Sequence, residues 1–183
     1  MQALPLVEPE NAAGATAALL ALAQQLCGVT PNLIKALANS PAALRGFVDL
    51  AEATHTSELS EADRARIALL VAQENRCDYG LSAHSFLAAK VSGLTAEQAA
   101  AARAATAADP TSAALLAFTA AVVRRRGAVT DTEWAAARSA LTPAEIVAAI
   151  AQVTQNLFGN YLAVAVRLDN DWPLVRHDAD ALV

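Results

Sequence analysis

Apolar residues recur along this chain at intervals of three and four, and sustained alternation of β-branched or aromatic residues with polar ones is absent. From about Gly14 to Leu26, the residues Leu19, Leu20, Leu22, Ala23 and Leu26 repeat at helical spacing. Gly28-Val29-Thr30-Pro31-Asn32 stops that helix and starts another, with Thr30 as N-cap and Pro31 in the first helical position. Ser40-Pro41 repeats the device and opens a helix through Leu44, Phe47, Val48 and Leu50. Ser60, with Asp63 placed to reach back to it, caps a helix made apolar over much of its circumference by Ile67, Ala68, Leu69, Leu70 and Val71. Such a helix is predicted to be buried on several sides, at the centre of the fold.

The second half continues in the same way. Phe86, Leu87, Ala88 and Val91 carry a helix to Ser92-Gly93, where the glycine supplies the stop, and Thr95 with Gln98 caps an alanine-rich helix predicted to reach Ala108. Asp109-Pro110 breaks it and leads into a helix over residues 111–126. Two Thr-capped helices come next, Thr130 to Leu141 and Thr142 to about Arg167. Asp169-Asn170-Asp171-Trp172-Pro173 reads as a turn, with an irregular C-terminus beyond it. Residues 1–12, with Pro5 and Pro9, read as an extended arm of the kind that packs on a neighbouring subunit. There is no exact internal repeat.

Composition turns this pattern into a fold class. The chain has 183 residues, 55% hydrophobic but only 4% aromatic, so Ala, Leu and Val must fill the interior. Small side chains let helices approach closely and Ala is the strongest helix former, which predicts a single all-α domain over residues 1–183. A net charge of −5 argues against a nucleic-acid surface. The one basic run, Arg124-Arg125-Arg126, sits where cations favour a helix C-terminus. No stretch is apolar and long enough to span a bilayer, and Glu8 and Glu10 stand where a signal peptide would be basic, which predicts a cytoplasmic protein. In that compartment Cys27 and Cys77, fifty residues apart, are expected to be thiols.

The candidate chemistry lies between the central helix and the next, in Glu74-Asn75-Arg76-Cys77-Asp78-Tyr79-Gly80-Leu81-Ser82-Ala83-His84. Cys77 opens a helix, and His84, two turns on, shares its face. A thiol at a helix N-terminus is expected to ionise more readily, and an imidazole on the same face to take or hold its proton directly or through a water. This segment resembles the C-x-x-C-x-x-x-H motif of the alkylhydroperoxidase D and carboxymuconolactone decarboxylase family, with Cys77 matching the first cysteine, His84 the histidine, and Gly80 standing in place of the second cysteine. The resemblance extends from about Val29 to Pro173. It includes an opening similar to the family's V-P-N, the Asp-Pro break, the Asn160-Tyr161 pair and the Asp171-Trp172-Pro173 turn.

That resemblance implies a multi-helix orthogonal bundle assembled as a trimer or hexamer, for which a mean hydropathy of +0.33 leaves apolar surface to bury. It also implies thiol chemistry. Peroxide would oxidise Cys77 to a sulfenic acid, assisted by His84, and an external thiol would have to reduce it, because Gly80 cannot resolve it. The family's relay glutamate would fall at Ala65, leaving Glu74 as the natural substitute. Two other readings stay open: a decarboxylase-type lyase acting on a lactone acid with His84 as acid and base, and a noncatalytic oligomer that binds a small molecule. Cys27 resolves Cys77 only if folding brings the two together. Tyr79 is expected to be a packed aromatic with its hydroxyl at a pocket mouth, and His55 and His177 to be solvated. Neither a metal site nor a phosphate-binding glycine pattern is visible, and no cofactor is expected.

Overall fold

In the computed structural model, residues 3–178 are described, except for the side chains of Leu26 and Cys27. Among the described residues there are nine α-helices and no strands. They are α1 (Gly14–Cys27), α2 (Asn32–Leu37), α3 (Pro41–His55), α4 (Glu61–Glu74), α5 (Asp78–Lys90), α6 (Ala96–Arg103), α7 (Pro110–Arg124), α8 (Asp131–Ala140) and α9 (Pro143–Ala165).

Polar caps set the helix starts. Ser40, Ser60, Thr95, Asp109, Thr130 and Thr142 each accept the N–H three residues on, and Thr95, Thr130 and Thr142 form full capping boxes with Gln98, Glu133 and Glu145. Pro31, rather than Thr30, caps α2, so that start lies one residue later than predicted. The ends obey another rule. Arg76, Ala105, Arg126 and Arg167 all have positive φ, in each case two residues beyond the last helical one. In each case the next N–H reaches back to close a Schellman turn: Cys77 to Ala72, Thr106 to Ala101, Gly127 to Val122 and Leu168 to Ala163. The alanine-rich helix therefore stops at Arg103 and not at Ala108.

Helix α4 packs against α5, α6, α7 and α9, and the whole run Ile67–Gln73 is buried. Its Ile67 and Val71 join Leu115, Phe118, Ile146 and Val153 in one core cluster, while Leu69 and Leu70 join Leu94, Leu116 and Ala120 in another. A third cluster unites Leu19, Leu20, Ile34, Leu44 and Val48 from α1 to α3. The N-terminal arm lies on its own chain: Val7 N–H donates to Lys35, Glu8 pairs with Lys35 at 2.7 Å, and Asn39 donates to Pro5.

Because α4 feeds two clusters, truncation there is expected to be costly. Leu70→Ala should lose about 2–5 kcal/mol in urea unfolding, whereas Val147→Ala, at a position 67% exposed, should stay within about 0.5 kcal/mol.

Candidate functional site

A two-residue turn joins α4 to α5. Asn75 ends α4, Arg76 takes a left-handed conformation, and the Cys77 N–H returns to Ala72 while the Cys77 carbonyl receives the Leu81 N–H. Cys77 thus closes one helix and caps the next, its sulfur accepting from Gly80 N–H at 3.3 Å. Serine, threonine, asparagine or aspartate normally fills that position, so the thiol stands in for a hydroxyl.

The surroundings of the sulfur overturn the expected electrostatics. Cys77 is 1% exposed, in a cluster with Tyr79 and Ala163 against which Leu33, Leu168 and Trp172 pack. Burial pushes its pKa up, the Asp78 carboxylate adds to this, and the N–H groups of Gly80 and Tyr79 only partly offset it. The thiol is therefore harder to ionise than a free one, contrary to the helix-dipole expectation. Among the described residues no hydrogen bond joins its sulfur to His84 or Glu74. The side chain of Cys27 lies outside the described residues.

His84 is half-buried on α5 and is hydrogen-bonded to the Asn156 side chain on α9. Burial lowers its pKa to about 4, with Asn156 opposing the shift, so at neutral pH it is an uncharged imidazole and a weaker base than a free one. The Glu74 side chain is 4% exposed and turns away to α7, where Arg124 Nη2 and Nε approach Oε1 at 2.7 and 3.0 Å. Arg125 pairs with Glu133. The basic run is thus used in ion pairs with α4 and α8 rather than in capping alone.

Segments far apart in the sequence converge here. Asp171 accepts both the Tyr79 hydroxyl at 2.6 Å and the Asn32 N–H at 3.0 Å, and Trp172 meets Tyr79 edge to face at 5.4 Å. Tyr79 is buried against the sulfur instead of standing at a pocket mouth, and burial together with Asp171 raises its pKa. His177 is not free in solvent: its Nδ1 lies 2.7 Å from Asp78 Oδ1, and its N–H donates to the same oxygen. His55 is exposed at the end of α3.

Sequence reasoning missed a polar row on α9. Gln152, Asn156 and Asn160, spaced by four on an otherwise apolar buried face, all turn inward, and that spacing was the available signal. A Cβ on Gly80 would collide with Asn160 Oδ1 and stand 3.1 Å from Ala72 Cβ. Asn160 Nδ2 has no hydrogen-bond partner among the described residues.

Residues 41–124 match the family model described as carboxymuconolactone decarboxylase family. That match spans helices α3 to α7, a little under half of the chain. Helix α9 and the C-terminal residues that pack against the cluster of Cys77 lie outside the matched segment. No curated protein matches the chain. Among solved structures, it is similar to the alkylhydroperoxidase AhpD core of an uncharacterized peroxidase-related protein from Ralstonia eutropha JMP134. The TM-score is 0.80 and the identity 20%, over 93% of this chain and 92% of that one. A peroxidase-related protein from Silicibacter sp. TM1040 gives TM-score 0.76 at 22% identity, over 92% and 91%. The debrominase Bmp8, in a Cys-to-Ala variant in complex with 2,3,4-tribromopyrrole, gives 0.76 at 17%, over 93% and 94%. At these identities the likeness is one of fold, and it confirms the AhpD-like all-helical architecture. Among the described residues no helix is long and apolar enough to cross a membrane.

This geometry predicts two outcomes. Gly80→Ala should destabilise by roughly 1–3 kcal/mol, and in an Asn160→Ala background most of that loss should vanish, as a double-mutant cycle in denaturant would show. The folded pKa of His84 is below its unfolded value, so its contribution is present above about 6.5, lost progressively as pH falls, and gone near 4. Discounted for partial solvent access, this is about 2 kcal/mol, which His84→Gln should remove from the pH dependence of urea unfolding.

Proposed function

We propose that this protein is a single-thiol, peroxidase-like oxidoreductase of the carboxymuconolactone decarboxylase family, reducing a small hydroperoxide through Cys77. The observation that carries this reading is the seat of the sulfur on the Gly80 N–H at the start of α5, since a donor fixed there stabilises a thiolate once one forms. His84, neutral at working pH, accepts the thiol proton directly or through a water. The sulfur attacks the terminal peroxide oxygen, the O–O bond breaks, and the alcohol leaves with the proton returned by His84. Cys77 is left as a sulfenic acid. One external thiol condenses with it, releasing water and forming a mixed disulfide. A second thiol then releases Cys77 and leaves as the external disulfide. Glu74, held by Arg124, acts in this scheme by fixing the end of α4.

Support from fold comes from peroxidase-related neighbours, and the sequence motif supplies the thiol and the imidazole. A second reading, lyase chemistry on a lactone acid, is favoured by one observation: His84 is half-buried and uncharged while the thiol is sealed. We also propose assembly into a homo-oligomer, trimer or hexamer, in a cytoplasmic setting. Ile150, Phe158, Tyr161 and Val164 form an exposed apolar stripe along α9, and Phe86, Leu87 and Val91 are exposed on α5.

Treatment with an alkyl hydroperoxide should raise the intact mass by one oxygen, and Cys77→Ser, which keeps the cap, should abolish the gain. The rate should still climb as pH passes about 8.5, because the thiol pKa is raised. Absence of an oxygen adduct while Cys77 remains alkylatable would rule out the peroxidase reading. Turnover of a lactone acid that survives Cys77→Ser and is lost in His84→Ala would establish the lyase instead. Tyr161→Arg should shift the assembly towards monomer in sedimentation, where an unchanged mass would exclude this face as the interface.

A further inference from the structure

The residues after α9 cross the N-terminal half of α5 without joining any element by backbone pairing. Leu168 closes the end of α9 through Ala163, but among the described residues no backbone-to-backbone hydrogen bond involves residues 169–178. Side chains do the holding. Asp171 ties one end to Tyr79 and Asn32. Ser82 accepts Val175 N–H at 2.9 Å and Asn170 Nδ2 at 2.8 Å, and Asp78 binds His177 twice. Beyond these clasps, Arg103 bonds the Arg176 carbonyl and the Asp178 carboxylate. Between them Trp172, in edge-to-face contact with Tyr79, and Leu168 just before the strap pack against the cluster that holds Cys77.

An element held this way opens more easily than the core. Without a backbone ladder it has no cooperative support from a neighbouring helix or strand, and partly exposed ion pairs contribute little each. Two of its clasps, Asp78 and Ser82, belong to the helix that Cys77 caps, one and five residues after it. Lifting residues 169–178 would take Trp172 off the cluster that holds Cys77 while leaving α4, the body of α5 and the Leu168 closure of α9 in place.

We propose that residues 169–178 form a latch over the cluster that holds Cys77, and that small electrophiles reach the sulfur only when this strap lifts as a unit, with the core intact. By linkage the effect is reciprocal: a group attached to a sulfur that is only 1% exposed has no room in the closed packing, so modification of Cys77 holds the strap open. The proposal concerns access and stands independently of which electrophile the protein uses.

The test uses full-length protein, N-ethylmaleimide and peptide-level mass spectrometry, which separates Cys77 from Cys27. The thiolate sulfur adds to one carbon of the maleimide double bond, and the other carbon takes a proton from water. His177→Ala and Asp171→Ala each remove a strap-side clasp, and each should speed labelling of Cys77 on the order of tenfold. Amide exchange in the strap, at Val175 and His177 or its replacement, should accelerate while Leu70 in α4 keeps its protection. Loss of the His177 imidazole leaves the Asp78 charge less compensated, which disfavours the thiolate, so faster labelling there reports access and not acidity. Labelled protein should show the same exchange increase in the strap, the reciprocal signature. Labelling unchanged in both variants overturns the latch. So does labelling that tracks Leu70 exchange, which would mean access by global unfolding. Failure of hydroperoxide turnover with the latch behaviour intact would remove the peroxidase reading and leave this one standing.

Discussion

The site depends on a turn that serves two helices at once. Arg76 in the left-handed region lets the Cys77 N–H satisfy the last turn of α4, and the same residue's carbonyl and sulfur satisfy the first turn of α5. A residue with a side chain pays about 1 kcal/mol or more to adopt that backbone, and the buried packing of α4 on four neighbours supplies the surplus that holds it. The position of the sulfur is therefore a consequence of core packing. Because the run Ile67–Gln73 of α4 is buried throughout, its end is fixed, and the thiol cannot be displaced without disturbing Ala72, which accepts the Cys77 N–H.

Much of this fold was legible because helix starts are written in local chemistry. A hydroxyl or carboxylate three residues before a free N–H is a short-range device, and Ser40, Ser60, Thr95, Thr130 and Thr142 could be read without knowing what they pack against. Helix ends were less legible because the left-handed residue at four of them is Arg or Ala rather than Gly. Their conformation is imposed by the next residue in the chain, as Cys77, Thr106, Gly127 and Leu168 turn back, and no propensity announces it. The C-terminal strap was illegible for a related reason. It has no periodicity, and its partners are 92 to 99 residues away: Tyr79 for Asp171, Ser82 for Val175, Asp78 for His177.

The candidate site divides along the same line. That Cys77 opens a helix with His84 two turns on could be read from spacing. What surrounds them could not, since Leu33, Ala163, Leu168 and Trp172 come from three other segments. The consequence for Gly80 is sharper. Read alone, it is a position lacking a side chain, but in the fold its free volume is occupied by Asn160 from α9. The spacing of Gln152, Asn156 and Asn160 shows that α9 presents amides where an apolar helix would present carbon, and these amides, not carboxylates, meet α5. A neutral row beside His84 leaves burial as the main influence on its proton affinity, whereas a carboxylate there would have raised it.

Two forces compete at Cys77, and their different ranges decide the winner. The helix-end N–H groups act over one bond length on a sulfur that is a weak acceptor, and Asp78 beside it opposes them. Desolvation acts from every direction in which water has been replaced by Tyr79, Trp172, Leu168 and Leu33, and it prevails. If water returns, the desolvation penalty shrinks while the Gly80 N–H, fixed by α5 itself, remains in place. Were the strap to lift, the helix-end contribution of Gly80 would be less opposed by desolvation, while Asp78 would still act against it. Burial in this architecture is consequently a statement about how often the sulfur is presented, and the helix terminus about what it is once presented.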